Sequence, residues 1–92
     1  MLWLYILECR NGTLYTGITN DLEKRFALHQ SGRGAKYTRA NPPIRIAQRW
    51  RIRGRARAQK LEYAVKQLNR KQKLSLIKKP KQLYRALKVV AE

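Results

Sequence analysis

The stretch Leu14-Tyr15-Thr16-Gly17-Ile18-Thr19 decides how the rest of the chain is interpreted. Its composition is typical of a strand, and it leads directly into Asn20-Asp21-Leu22-Glu23, a sequence typical of a helix N-terminus. A strand that runs into a helix cap brings a tyrosine, a bare glycine backbone and the first turns of a helix close together. This arrangement is the starting point for identifying a functional site.

Positive charge dominates the composition. The 92 residues include 22 Lys and Arg but only 5 Asp and Glu, for a formal net charge of +17. Because so many like charges repel one another in a compact state, we expect a polyanionic partner. Nucleic acid is the expected partner, since neutralising phosphates releases counterions, and an anionic membrane surface is the alternative.

The chain length and hydrophobic content predict one folded domain. A hydrophobic fraction of 43% argues against a wholly disordered basic tail. Cys9 is the only cysteine, so the sequence excludes a disulfide within the chain and a cysteine-based zinc site. The apolar run at residues 1–7 is too short to span a membrane, and no signal-peptide pattern surrounds it. We therefore expect a cytoplasmic protein that does not insert into membranes.

The first two predicted strands, residues 2–7 and 13–18, form a hairpin. A two-residue turn would put Tyr5 and Tyr15 on opposite faces of the sheet. A three-residue loop, with Gly12 in the left-handed bulge position, would place Tyr5 opposite Gly17 and put both tyrosines on one face. Both turns are chemically reasonable. Only the second allows the two tyrosines to share a site.

The other elements follow from hydrophobic spacing and from helix start and stop signals. A helix is predicted from Asn20 to about Gln30, ended by Ser31 and Gly32, and residues 32–39 form a flexible basic segment. One more strand and three more helices are predicted, at residues 44–52, 55–69, 71–77 and 82–90. The predicted fold is α/β, a small three-stranded mixed sheet with an antiparallel N-terminal hairpin, flanked by helices. Residues 1–79 would form the main domain, and residues 80–92 a helical extension packed on it.

Glu62 stands out among the few acidic residues. It is the only acid in the second half of the chain before the terminal Glu92, and it borders an apolar helical stripe. On spacing alone we favour an i,i+4 ion pair with Lys66, worth about 0.3–0.5 kcal/mol, over a metal ligand. Tyrosine, arginine and histidine are equally uninformative one at a time, because each usually packs in a core or lies on a solvated face. Their joint pattern is more specific.

That joint pattern resembles the GIY-YIG nuclease superfamily, and most closely its small single-domain bacterial branch. The matching positions are Trp3-Leu4-Tyr5, Tyr15-Thr16-Gly17, Arg25, His29 and Glu62. The two tyrosines lie ten residues apart, and the arginine follows the glycine by eight. The resemblance covers roughly residues 2–77.

Some positions depart from the family pattern. Trp3-Leu4 replaces the Gly-Ile of the first motif, and Thr16 replaces the Ile of the second. Some relatives have a lysine where this chain has Ile18, so any role of that lysine is absent here. Other relatives have tyrosine where this chain has His29.

The resemblance implies a metal-dependent endonuclease that hydrolyses phosphodiester bonds in DNA, with single-stranded or branched DNA as candidate substrates and DNA repair or recombination as the setting. Tyr15 would be the general base or a relay, with Tyr5 and His29 hydrogen-bonding beside it. Arg25 would contact the scissile phosphate. Glu62 would hold a single Mg²⁺ or Mn²⁺, mostly coordinated by water, which suits a hard cation with one carboxylate and substrate oxygens.

Three further residues are candidates for nucleic-acid binding. Gly17 would let the phosphodiester approach the backbone, and Lys36 and Arg39 would track the strand. Tyr37 or Trp50 could stack on bases, although Trp50 is equally well explained as a core residue. Two other classes stay open: a non-catalytic nucleic-acid-binding module that retains the fold, and a basic membrane-surface or protein-interaction domain.

Overall fold

A computed structural model describes residues 1–83 of the chain. Its elements, in order, are β1 (Leu2–Cys9), β2 (Leu14–Thr19), α1 (Leu22–Gln30), α2 (Lys36–Ala40), β3 (Pro43–Ile52), α3 (Arg55–Lys66), α4 (Arg70–Lys78) and a single 3₁₀ turn (Pro80–Gln82). Most of the helix predicted at residues 82–90 lies outside the described residues. The division at residue 79 therefore stays a prediction.

The three strands form one sheet in the order β2-β1-β3, with helices packed on both faces. The predicted three-stranded α/β architecture is thus confirmed, but the description of the sheet as mixed is wrong. Both pairs of neighbouring strands are antiparallel. The helical connection from β2 to β3 does make these two strands run in the same direction, as such connections usually do. They never pair with each other, because β1 lies between them.

The hairpin of β1 and β2 adopts the three-residue loop. The Cys9 amide donates to the Thr13 carbonyl at 2.9 Å, and Gly12 has a φ of +83°. Tyr5 pairs with Gly17 and Tyr15 pairs with Leu7. Because successive side chains alternate between faces, Tyr5 and Tyr15 point to the same side of the sheet.

The two faces of β1 bury different kinds of residue. Leu2, Leu4 and Ile6 point to one side, which we call the core face, where they pack against the apolar stripe of α3 and against residues of α4. Trp3, Tyr5 and Leu7 point to the other, which we call the site face, where the helix α1 covers them. Both faces of the central strand are therefore covered, in agreement with its unbroken apolar sequence.

Helix α1 begins at Leu22, two residues later than predicted, because Asp21 is its N-cap. The Asp21 carboxylate accepts a hydrogen bond from the Lys24 amide at 3.1 Å. Ser31 and Gly32 end the helix as predicted, and Gly32 has a φ of +79°. The expected flexible segment that follows is wrong in part, since residues 36–40 form the short helix α2. Its fully buried Thr38 fixes it to α1.

The second half of the chain follows the predicted order of strand and helices. α3 is shorter than predicted and ends at Lys66 rather than near residue 69. Asn69 instead forms a capping box with Gln72 at the start of α4. The Trp50 indole N–H donates to the Pro80 carbonyl at 2.9 Å, so this side chain belongs to the core beneath the 3₁₀ turn.

Candidate active site

The Tyr5 hydroxyl lies at the centre of the site face. Tyr5 is only 2% exposed, and its hydroxyl lies directly over the backbone of Gly17 on the neighbouring strand. A Cβ atom at position 17 would overlap this hydroxyl. Glycine is therefore required here by the packing of Tyr5. The predicted contact of Gly17 with a phosphodiester stays a prediction.

Hydrogen bonds around His29 assign its tautomer. The Thr38 hydroxyl donates to the Ala35 carbonyl at 2.9 Å, and its oxygen lies 2.7 Å from His29 Nδ1. A hydroxyl has one proton, so Thr38 accepts at its oxygen and His29 Nδ1 carries the hydrogen. The other ring nitrogen, Nε2, is then an acceptor. The Tyr5 hydroxyl, 3.2 Å away, donates to it.

Burial sets the ionisation of this pair. Desolvation is the main cause that raises the pKa of Tyr5 far above its ordinary value; Tyr15 and Glu62 add to the rise, and Arg25 opposes it. Desolvation also lowers the pKa of His29, and the charge of Arg25 lowers it further. Tyr5 therefore remains a neutral donor and His29 a neutral acceptor near neutral pH.

Tyr15 is the outer phenol of the site. It is half-buried, and its ring meets His29 edge-on, with ring centroids 5.2 Å apart. Its other neighbour is Tyr37 of α2, whose ring is nearly parallel at 9° with centroids 6.2 Å apart. The Tyr37 hydroxyl donates to the Thr13 hydroxyl in the hairpin loop. Tyr15 is thus fixed on two sides while part of its surface stays open to solvent.

The charges of Arg25 and Glu62 act on Tyr5 in opposite directions. Arg25 is exposed on α1, four residues before His29, and Glu62 lies on α3. The opposite effects of these two charges on the Tyr5 pKa show that both are within electrostatic range of its hydroxyl. The structure therefore brings together all five predicted catalytic residues, which come from β1, β2, α1 and α3.

Glu62 also makes the ion pair expected from its spacing. Its carboxylate lies 3.5 Å from Lys66 Nζ, and its side chain is 23% exposed. Residues 1–83 contain no group of three or more His, Cys, Asp or Glu side chains that could hold a metal ion. A single half-buried carboxylate nevertheless fits a hard cation such as Mg²⁺, which keeps several waters and shares substrate oxygens. The donor set is compatible with the implied cofactor.

Lys36 and Arg39, the predicted nucleic-acid contacts, are exposed on α2, the helix that also carries Tyr37. A second basic surface lies on the site face of β3. There the guanidinium groups of Arg49 and Arg51 lie over the Trp3 ring, 5.8 Å and 5.6 Å from its centroid. Basic side chains thus surround the buried tyrosine and histidine.

Sequence reasoning missed two residues of the site. A Cβ atom at Gly34 would overlap the His29 ring at Nδ1, so this glycine is required by the position of the histidine. Thr38 fixes the histidine tautomer. Neither residue stands out in the sequence, because each depends on a contact with a distant element.

Comparison with known proteins gives consistent matches. The GIY-YIG catalytic domain matches residues 1–75. A UPF0213 protein of Xanthomonas axonopodis pv. citri is 53% identical over 72 residues, which cover 78% of this chain and 71% of that protein. A UPF0213 protein of Cupriavidus pinatubonensis is 44% identical over 80 residues, covering 87% and 89%.

A solved structure agrees with the fold. The solution NMR structure of a UPF0213 protein from Bacillus halodurans is 43% identical, has a TM-score of 0.55, and is matched over 85% of this chain and 84% of that one. Within residues 1–83, no helix is long and apolar enough to cross a membrane. The chain belongs to the GIY-YIG family.

Proposed function

We propose that this chain is a metal-dependent endonuclease that hydrolyses phosphodiester bonds in DNA. The observation that carries the proposal is the convergence on one hydroxyl. Tyr5 is hydrogen-bonded to His29 and lies within electrostatic range of Tyr15, Arg25 and Glu62. Family membership supports a nucleic-acid substrate, and the net charge of +17 suits a polyanion.

The two tyrosines differ in solvent exposure and therefore have different roles. Tyr5 is buried and its hydroxyl donates a hydrogen bond to His29, so it cannot contact an attacking water directly. Tyr15 is half-exposed on the same face and is the phenol that contacts this water. Tyr15 takes a proton from the water and passes its own proton towards the Tyr5–His29 pair. His29 Nε2 is the neutral acceptor at the end of this route.

Positive charge stabilises the reacting phosphate. Arg25 is exposed and close enough to Tyr5 and His29 to lower the pKa of both. A guanidinium in this position binds the scissile phosphate and offsets the charge that develops on its oxygens. Glu62 would hold Mg²⁺ or Mn²⁺, which supplies Lewis-acid stabilisation of oxygen charge when bound.

The test is cleavage by a Glu62→Ala variant with Mg²⁺ or Mn²⁺ on a panel of single-stranded, duplex and branched DNA and RNA. We expect binding to be retained and cleavage to fall about a hundredfold or more, since metal stabilisation contributes several kcal/mol. Glu23→Ala is the matched control, because it removes an exposed carboxylate from the first turn of α1. An unchanged cleavage rate for Glu62→Ala would contradict the metal assignment.

One observation favours a second candidate, a non-catalytic nucleic-acid-binding module. Glu62 is the carboxylate proposed to bind the metal, and it is already paired with Lys66. If that pair persists on the nucleic acid, no metal is held. Binding by the wild-type protein without cleavage under any divalent metal would identify this candidate. The cytoplasm remains the predicted compartment, and DNA repair or recombination the predicted setting.

A further inference from the structure

A cleft beside the candidate active site is built from two arginines. It has a volume of about 270 Å³ and lies where the end of β2 meets the first turn of α3. Its lining residues are Leu2, Ile18, Thr19, Asn20, Arg25 and Arg55. Arg25 is the residue proposed to bind the scissile phosphate. Arg55 is the first residue of α3, is exposed, and has no part in the reaction as described so far.

No acidic side chain of residues 1–83 lines this cleft. Among residues 1–83, Glu8 pairs with Arg45 and Glu62 pairs with Lys66. Asp21 caps α1 through the Lys24 amide, and Glu23 is exposed in the first turn of the same helix. Neither of them lines the cleft. The two guanidinium groups therefore face a cavity whose other polar lining is Thr19 and Asn20. An anion bound there would come from outside the described part of the chain.

Two elements link the cleft to the active site in the chain. Ile18, which lines it, directly follows Gly17, over which the Tyr5 hydroxyl lies. Arg55 and Glu62 are seven residues apart on α3, so they lie on the same side of the helix about 10.5 Å apart along its axis. At a rise of about 3.4 Å per nucleotide in B-DNA, that distance corresponds to roughly three nucleotides.

We propose that this cleft is a subsite for a second backbone phosphate on the same strand as the scissile one, and that Arg55 binds it. The inference rests on the proposed function, since it places the same strand across both sites. Arg25 then lies between two phosphates, with the scissile one on the tyrosine side. Arg55 contributes affinity and fixes the position of the strand but does not contact the reacting atoms.

The test measures binding without cleavage. A fluorescently labelled single-stranded DNA oligonucleotide is titrated with wild-type protein and with Arg55→Ala by anisotropy, with EDTA present, over a series of salt concentrations. Losing one phosphate contact on a single strand should reduce the slope of log K against log salt by about 0.7, which is about fivefold in affinity at roughly 0.1 M salt. Arg53→Ala removes an equal charge outside the cleft, and we expect it to leave this slope close to the wild-type value.

The outcomes separate this proposal from the proposed function. If Arg55→Ala and Arg53→Ala change the slope equally, Arg55 contributes only general charge and the subsite is wrong, whether or not the protein cleaves. If Arg55→Ala alone changes it, the subsite stands even if the wild-type protein never cleaves. Inorganic phosphate is the other source of the same anion. If it displaces the oligonucleotide from the wild-type protein at equal phosphate concentration, the cleft is a free-anion site and the proposal is overturned.

Discussion

The core face and the site face of the sheet are both buried, but their residues are packed by different rules. On the core face, aliphatic side chains such as Leu4, Leu61 and Val65 fill space with no polar atoms to satisfy. On the site face, the buried residues include Tyr5 and His29, which lie in a chain of hydrogen bonds. The core face therefore sets stability through volume. The site face also requires a hydrogen-bond donor or acceptor at each position of the chain formed by Tyr5, His29 and Thr38. The proposed chemistry uses these groups.

The largest expected effect on stability comes from the core face. Leu61→Ala removes a fully buried side chain from α3, so we expect the free energy of unfolding to fall by about 2–5 kcal/mol. Tyr63→Ala on the same helix is the matched control, because Tyr63 is 59% exposed and its loss should change stability by less than about 0.5 kcal/mol. Urea denaturation measures both. Equal effects would contradict the assignment of the core face.

Gly34→Ala tests whether the position of the His29 ring requires a residue without a Cβ atom at position 34. The new Cβ would overlap His29 Nδ1, so we expect the imidazole to be displaced and stability to fall by about 1–3 kcal/mol. Gly12→Ala is the counterpart, since its Cβ meets no atom within 4 Å and only the backbone at φ +83° is strained, at about 1–2 kcal/mol. NMR signals of the His29 ring should change in the first variant alone. Unchanged ring signals in Gly34→Ala would refute the packing requirement.

Thr38→Val tests the hydrogen-bond chain at nearly constant volume. Valine leaves the Nδ1 hydrogen of buried His29 without its acceptor, so we expect a loss of about 1–3 kcal/mol and a shift of the tautomer towards Nε2–H. The ¹⁵N chemical shifts of the ring report the tautomer directly. Thr38→Ser keeps the hydroxyl and should keep the wild-type shifts. If valine leaves the tautomer unchanged, Thr38 does not set it.

The smallest effect near neutral pH is the pH dependence from His29. Because its pKa is lowered in the folded protein from the ordinary value of 6.5, the unfolded chain binds more protons as pH falls. The stability it contributes is present above about pH 6.5 and is lost as pH falls through the lowered pKa. The chain has one histidine, so an NMR titration of its ring is unambiguous. A ring that titrates at or above 6.5 would contradict its burial as a neutral acceptor.

Local sequence signals predicted most of the fold. The Asn-Gly turn and the strand pattern narrowed the hairpin to two registers, and the observed one puts Tyr5 and Tyr15 on one face. Cap residues placed α1 to within two residues at its start. The direction of the third strand needed information that local patterns lack, so the antiparallel pairing of β1 with β3 was not predicted and the sheet was expected to be mixed. Helix α2 was missed for the same reason, because its buried anchor Thr38 is held by His29 on another helix.

The candidate site was predictable only in part. The family resemblance identified five residues, and the structure brings them together around Tyr5. Spacing alone favoured the Lys66 ion pair for Glu62, and that pair is present as well. Gly34 and Thr38 could not be found, because a glycine in a basic loop and a threonine beside a tyrosine have many ordinary explanations. Their roles depend on where the His29 ring lies.

The position of the two tyrosines in the sheet has a consequence for motion. Tyr5 belongs to the central strand, which is hydrogen-bonded on both sides along most of its length, whereas Tyr15 and Gly17 belong to an edge strand. Edge strands open locally at a lower free energy than central ones, so amide hydrogens of β2 should exchange with solvent sooner than those of β1. Such an opening would carry Tyr15 away from a Tyr5–His29 pair that stays assembled. Tyr15 can thus leave the site and return to it while His29, the proposed proton acceptor, keeps its hydrogen bonds to Tyr5 and Thr38.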